Sequence, residues 1–382
     1  MYKRKQSLAD RGTESCFLWG ARQTGKSTLL KDIFPVTPRY DLLLSDEYGR
    51  LRTRPSLLRE ELLAEPPGNR PVVIDEVQKI PELLDEVQWL IVNHRVQFIL
   101  CGSSARKLKR SGANLLGGRA LRFELFPLVY PEIPDFDLLR ALNNGLLPRH
   151  YQAARPQGLM EAYVGDYLKE EISAEALTRN IPAFSRFLES AAFSNGEIAN
   201  YQNIAAECGV SAPTVKQYFQ ILEDTLIARL VPSFQKRPKR RVIQAPRFYF
   251  FDLGLANFLL KRGQILPRSE AFGKAFEHFI YQELAAHSHY SGLHYPISYW
   301  RTASQLEVDF VLGDHQVAIE VKGTEQAASH HGRGLKAFGE EYKTKHSIIV
   351  SMDPKPRVVN GIAILPWEIF LKRLWADEII ER

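Results

Sequence analysis

The sequence predicts an α/β chain in three parts, and three observations carry that reading. A glycine-rich loop with a lysine and a hydroxyl follows an apolar run near the N-terminal end. Apolar strand-length runs then alternate with helix-length segments through residue 146. Near the C-terminal end, two short apolar runs carry acids and a lysine at fixed spacing. Strands joined by helical crossovers make the first sheet parallel and doubly wound. The expected division is a parallel-sheet domain over 1–146, a helical domain over 147–265 and a second α/β domain over 266–382.

The 382 residues leave room for several domains with their own cores. With 25% charged and 45% hydrophobic residues, the composition is that of a globular chain and excludes collagen-like and low-complexity classes. Cys16, Cys101 and Cys208 are far apart and form no CxxC pair, which argues against a disulfide framework or a zinc site and fits a reducing compartment. The most apolar segment, 248–260, is broken by Asp252, Gly254 and Asn257 and is too short to span a bilayer. No membrane partner and a cytoplasmic location are expected. The net charge of +6 is a weak pointer to a polyanion. Its distribution says more: Lys236, Arg237, Lys239, Arg240, Arg241 and Arg247 fall in one stretch without an acid, and Arg106, Lys107, Lys109 and Arg110 form a second cluster.

The first element is the apolar run SCFLW at 15–19, read as a buried strand. It opens into Gly20, Ala21, Arg22, Gln23, Thr24, Gly25, Lys26, Ser27 and Thr28, after which the sequence turns helical. This is GxxxxGK[ST] between a strand and a helix, the context in which the pattern cradles phosphates. Glycines let successive N–H groups curl toward the anion at a helix N-terminus. Lys26 places its charge at the β/γ-phosphates of ATP, and the Ser27 hydroxyl serves Mg²⁺. The run PVVIDE at 71–76 is a strand ending in two carboxylates. Asp75 would stand in the Mg²⁺ sphere and Glu76 would polarise the attacking water, a role that hydrolysis needs and simple binding does not.

A further strand at 96–101 ends at Gly102, Ser103 and Ser104. Ser103 or Ser104 would reach the γ-phosphate or the water from the carboxyl edge of the sheet; either equally fits a cap on the next helix. Strands at 40–44 and 120–125 complete the sheet. Arg119 and Arg106 are candidates for an arginine finger reaching a neighbour's nucleotide, with an ordinary salt bridge as the alternative for each.

From 147 to 193 the apolar periodicity is helical. At 202–222 a helix ends at Gly209, Ser211 caps a second, and Val215, Phe219 and Leu222 form its buried stripe. That is a helix-turn-helix layout, with Pro213, Thr214, Lys216 and Gln217 at the start of the recognition helix. The strands expected at 226–232 and 247–252 read as a wing with the basic run at its tip, making a winged helix with DNA as its partner.

An amphipathic helix at 272–284 carries Glu277. Strands at 307–312 and 317–322 flank a turn containing Gly313, Asp314 and His315. If that turn is even, Asp309, Glu320 and Lys322 share one face. With Glu277 they would hold Mg²⁺ and activate water against a phosphodiester. The Asp-x(10)-Glu-x-Lys spacing matches the PD-(D/E)xK nuclease pattern, with Val308 where a proline is often seen. The alternative is a nuclease-like fold that binds without cutting.

With GARQTGKST, VVIDEVQ, GSSARKL, LLGGRA, YLKEEI, YFFDLG, WRT, EVDF and IEVK on the page, the chain resembles a group of bacterial and archaeal AAA-type ATPases. Members of that group carry a C-terminal domain with a restriction-endonuclease-like core. The resemblance implies an ATPase core, a winged-helix segment and a nuclease-like tail. AAA-type sites are commonly completed by a neighbour's arginine, so it also implies a homo-oligomer, a hexameric ring.

Overall fold

The computed structural model describes residues 2–104, 116–168, 180–236 and 240–381. The chain divides into two compact units. The smaller comprises Gln6–Phe126 together with Asp224–Ile227; the larger comprises Met1–Lys5, Pro127–Glu223 and Ala228–Arg382.

The smaller unit is built on five parallel strands: β1 (Ser15–Trp19), β2 (Arg39–Asp41), β3 (Val72–Asp75), β4 (Phe98–Gly102) and β5 (Ala120–Glu124), in the order β2-β3-β4-β1-β5. β1, β3 and β4 are buried at every residue, as expected of strands covered on both faces. β5, at the edge, has no fully buried residue. The helices Leu57–Ala64 and Leu83–His94 bury Leu58, Leu62, Leu84, Val87 and Leu90 in a core shared with Phe17, Ile74 and Leu100. Leu226, from the returning segment, packs against that core. The strand expected at 40–44 stops at Asp41, whose carboxylate accepts from Leu43 N at 3.0 Å and whose carbonyl accepts from Leu44 N at 3.1 Å. That turn directs the chain into the helix Ser45–Thr53.

In the larger unit, the helix Tyr201–Cys208 starts at Asn200, whose side chain accepts from Asn203 N, and ends at Gly209 with φ 67°. The helix Ala212–Asp224 buries Val215, Tyr218, Phe219, Ile221 and Leu222, and leaves Pro213, Lys216 and Gln217 exposed. β6 (Ala228–Val231) and β7 (Arg247–Phe250) form an antiparallel pair. The 21-residue helix Glu270–Tyr290 then precedes β8 (Ile297–Arg301), β9 (Glu307–Leu312), β10 (Val317–Lys322), β11 (His346–Ser351), β12 (Arg357–Val359) and β13 (Ile362–Pro366). These six make a mixed sheet in the order β12-β13-β11-β10-β9-β8. Its parallel pairs are β10 with β11 and β11 with β13.

Residues 127–223 and 228–382 fall within this one unit. β7 is anchored in it. All four of its residues are buried, Tyr249 stacks on Tyr281 with ring centroids 4.2 Å apart, and the Phe250 carbonyl bonds His278 Nε2 at 2.7 Å. The helical reading of 163–172 meets a π-helical turn at Tyr163–Leu168, and the remainder lies outside the described residues. Among the described residues, no helix is long and apolar enough to cross a membrane.

Candidate nucleotide site and the C-terminal acidic cluster

β1 delivers the chain to the glycine loop at the carboxyl edge of the parallel sheet. Gly20 is required there on steric grounds: a Cβ would lie 2.6 Å from the Leu125 carbonyl oxygen. Gly25 has φ 95°, a backbone that opens the helix Lys26–Ile33 with its N–H groups turned to the loop. Lys26, only 6% exposed, folds back so that Nζ donates to the Gly20 carbonyl at 2.7 Å and the Ala21 carbonyl at 3.1 Å. The Thr24 hydroxyl closes the same turn by donating to Ala21 O at 2.8 Å.

Ser27 Oγ donates to Asp75 Oδ2 at 2.6 Å, which joins the loop to the end of β3. A hydroxyl and a carboxylate that close form a hard-oxygen pair of the kind Mg²⁺ takes alongside phosphate and water, so these residues fit that ion. Glu76 follows with φ 56°, a left-handed conformation uncommon for its type. Its backbone N–H donates to Asp75 Oδ1 at 3.1 Å. Gln78 Nε2 donates to Glu76 Oε2 and, at 3.1 Å, to Ser103 Oγ, while Ser103 Oγ stands 3.3 Å from the same Glu76 oxygen. Ser104 Oγ instead reaches the Asp224 carbonyl at 3.4 Å. Burial pushes the Cys101 thiol well up, reinforced by the Asp75 charge, so Cys101 is an inert wall of the site.

Of the candidate fingers, Arg119 is exposed after the turn at Gly117 and Gly118, and Arg106 lies outside the described residues. Sequence reasoning passed over Gln78 and Gly102. The signal for Gln78 was its place two residues beyond Glu76 in VVIDEVQ. A Cβ on Gly102 would meet Gln78 Oε1 at 2.4 Å and the Trp19 ring at 2.7 Å, so the glycine makes room for that amide.

In the larger unit, β9 and β10 pair with Val317 opposite Leu312 and Ile319 opposite Phe310. The turn between them has four residues, and continuing the register sets Glu320 opposite Asp309. Lys322 Nζ lies 2.6 Å from Glu320 Oε1 and 3.9 Å from Asp309 Oδ2, and Asp309 Oδ2 also accepts from Val321 N at 2.8 Å. Glu277 faces them from its helix. Asp309, Glu320, Lys322 and Glu277 are therefore brought together.

So is a residue read differently from sequence. Arg247, expected at the edge of a DNA-facing basic run, is 3% exposed and points into the cluster. Its guanidinium lies 3.2 Å from Glu277 Oε1 and 3.5 Å from Asp309 Oδ1, and it pairs with Glu307. The Tyr249 hydroxyl donates to Glu277 Oε1 at 2.6 Å. Within the same run, Lys236 pairs with Asp314, and Arg240 pairs with Glu340 and Glu341; Arg237 and Lys239 lie outside the described residues.

The electrostatics follow from burial against pairing. Burial, then the Asp309 charge, raises Glu277 to about 7 against the pull of Arg247. Burial and Asp309 likewise raise Glu320 to about 8 against Lys322. Burial works to lower Lys322, but Asp309 and Glu320 outweigh it and hold the ammonium charged. Among the described residues, no group of three or more His, Cys, Asp or Glu is arranged to hold a metal ion. Asp309 and Glu320, the pair expected to hold Mg²⁺, stand among the Arg247 and Lys322 charges.

The sheet order, the loop after β1 and the acidic pair after β3 are consistent with a P-loop domain. Residues 13–134 match a family described as an AAA domain. Residues 135–265 and 272–370 match two families described as domains of unknown function, DUF8612 and DUF4143. No curated protein matches the chain.

Proposed function

We propose that the chain is a Mg²⁺-dependent ATPase whose turnover acts on DNA. The observation that carries the ATPase reading is the 2.6 Å bond from Ser27 to Asp75, with Glu76 next in the chain. In this reading the triphosphate takes the place of the loop carbonyls as the partner of Lys26 Nζ. The N–H groups from Gly20 through Thr28 surround the β-phosphate. Ser27 and Asp75 would hold Mg²⁺, which would supply charge neutralisation for the phosphates. Glu76 takes the proton of the attacking water, and Gln78 and Ser103 hold its carboxylate in place. Arg119, exposed, is the finger offered to a neighbouring subunit in a hexameric ring. Lys216 and Gln217, exposed at the start of their helix, are the groups offered to a major groove in a winged-helix arrangement. The C-terminal mixed sheet is read as a nuclease-like fold.

The test is steady-state ATP hydrolysis with Mg²⁺, alone and with duplex, single-stranded and branched DNA at low salt. Glu76→Gln should retain ATP and lose turnover at least a hundredfold. Absence of turnover in the unsubstituted protein sinks the ATPase reading; absence of salt-sensitive DNA binding sinks the DNA reading alone. A second reading, a protein remodeller or signalling switch, is favoured by one observation. Lys236, Arg240 and Arg247 are spent on acids of their own unit, so fewer cations of the basic run remain for phosphate. It predicts turnover that no DNA stimulates.

A further inference from the structure

We propose that Arg247 is the resident cation of the C-terminal carboxylate cluster, occupying the place of a divalent ion and fastening β7 to the helix Glu270–Tyr290 and the β9–β10 hairpin. The inference deepens the nuclease-like reading of the C-terminal sheet and rests on it.

The donor inventory is the argument. A Mg²⁺ site needs several carboxylate oxygens with lone pairs free to converge on one point in near-octahedral geometry. Here Glu277 Oε1 takes the guanidinium and the Tyr249 hydroxyl. Asp309 Oδ1 faces the guanidinium, and Oδ2 takes Val321 N with Lys322 nearby. Glu320 Oε1 takes Lys322, which leaves Oε2 as a buried oxygen without a hydrogen-bond partner. Four of the six oxygens of Glu277, Asp309 and Glu320 thus already face cations or donors. A dication placed among these acids would also stand beside the Arg247 and Lys322 charges at a depth where water screens them poorly.

Arginine suits the place better than lysine. Its planar fork reaches Glu277, Glu307 and Asp309 at once and keeps its charge when buried, while its Cζ lies 5.0 Å from the centre of the Tyr299 ring. The acids that a nuclease would turn on a phosphodiester are thus turned inward on a side chain of the preceding segment. The consequence is a latent metal site: the cluster has acids enough for a divalent ion once the guanidinium is gone.

The test is Mn²⁺ binding to the full chain without nucleotide, read by the electron paramagnetic resonance signal of free Mn²⁺. An Asp75→Asn background silences the phosphate-loop site. The background protein should show no Asp309-dependent Mn²⁺ site up to millimolar concentrations. Arg247→Gln should gain one site, at least tenfold tighter than any seen before, and Arg247→Gln/Asp309→Asn should lose it. If the background protein already holds an Mn²⁺ that Asp309→Asn removes, the inference fails and the nuclease-like reading stands. If Arg247→Gln, shown to be folded by circular dichroism, gains no site, both fail. Should Arg247→Gln not fold, Arg247→Met, which keeps the apolar stem, takes its place, and the background-against-Asp309→Asn comparison decides independently of either variant.

Discussion

Gln78→Leu tests whether the amide beside the acidic pair holds Glu76, the carboxylate proposed to take the water's proton. Gln78 is 4% exposed, and its Nε2 bonds both Glu76 Oε2 and Ser103 Oγ. Leucine fills nearly the same volume without either bond, so the change reads out the hydrogen bonds rather than a cavity. Glu76 needs such support, because its φ of 56° is a strained conformation held from one side by Asp75 Oδ1. A hydrogen bond to a charged group contributes about 1.5–3 kcal/mol. If that energy serves to aim Glu76 at water, kcat falls roughly 10- to 150-fold. The affinity for ATP should stay within about threefold, since Gln78 is no part of the phosphate loop. A coupled ATPase assay at saturating Mg²⁺-ATP gives kcat, and titration with a fluorescent nucleotide gives affinity. A kcat within twofold of the unsubstituted protein, or a loss accounted for by weaker nucleotide binding, would refute the positioning role.

Two predictions concern the larger unit. Gly145 sits at φ 78°, and a Cβ there would lie 2.3 Å from Asp252 Oδ1 and 2.6 Å from Gly254 N, so Gly145→Ala should destabilise by about 2–4 kcal/mol in urea unfolding. A loss below about 0.5 kcal/mol would show that the backbone yields there. Glu283 is fully buried, accepts from Tyr130 N at 2.8 Å and Trp375 Nε1 at 2.7 Å, and is raised to about 8 by burial. In the unfolded chain it titrates near 4.5, so its protonated form favours folding, and that contribution is lost as pH climbs from about 4.5 through 8. Between pH 6 and 9 the unsubstituted protein should lose on the order of 2–3 kcal/mol more than Glu283→Gln; parallel pH profiles for the two would overturn this assignment.

The smaller unit was legible because its signals are local. An apolar run, a glycine loop and a helix follow one another within twenty residues, and the shape of the loop is dictated by glycines visible in sequence. The one strand misjudged there, β2, ends where the Asp41 side chain captures the following backbone, an event decided by a single hydrogen bond. The larger unit was less legible because its decisive contacts are remote. Arg247 meets Glu277 and Asp309 across 30 and 62 positions of chain, and nothing in KRPKRRVIQAPR marks its last cation as the one that turns inward. The hairpin that aligns Asp309, Glu320 and Lys322 was readable from strand periodicity. The cation set against it was not. The burial of β7 is likewise fixed by partners such as Tyr281 and His278 that no local pattern announces.

The membership of Asp224–Ile227 in the smaller unit bears on how such a chain can be inherited. The backbone enters or leaves that unit four times, at Lys5/Gln6, Phe126/Pro127, Glu223/Asp224 and Ile227/Ala228. A gene exchange with one breakpoint after residue 126 would bring in a foreign nucleotide unit while leaving behind the Leu226 that its core expects. A swap that keeps the smaller unit whole therefore has to carry Asp224–Ile227 along with residues 6–126.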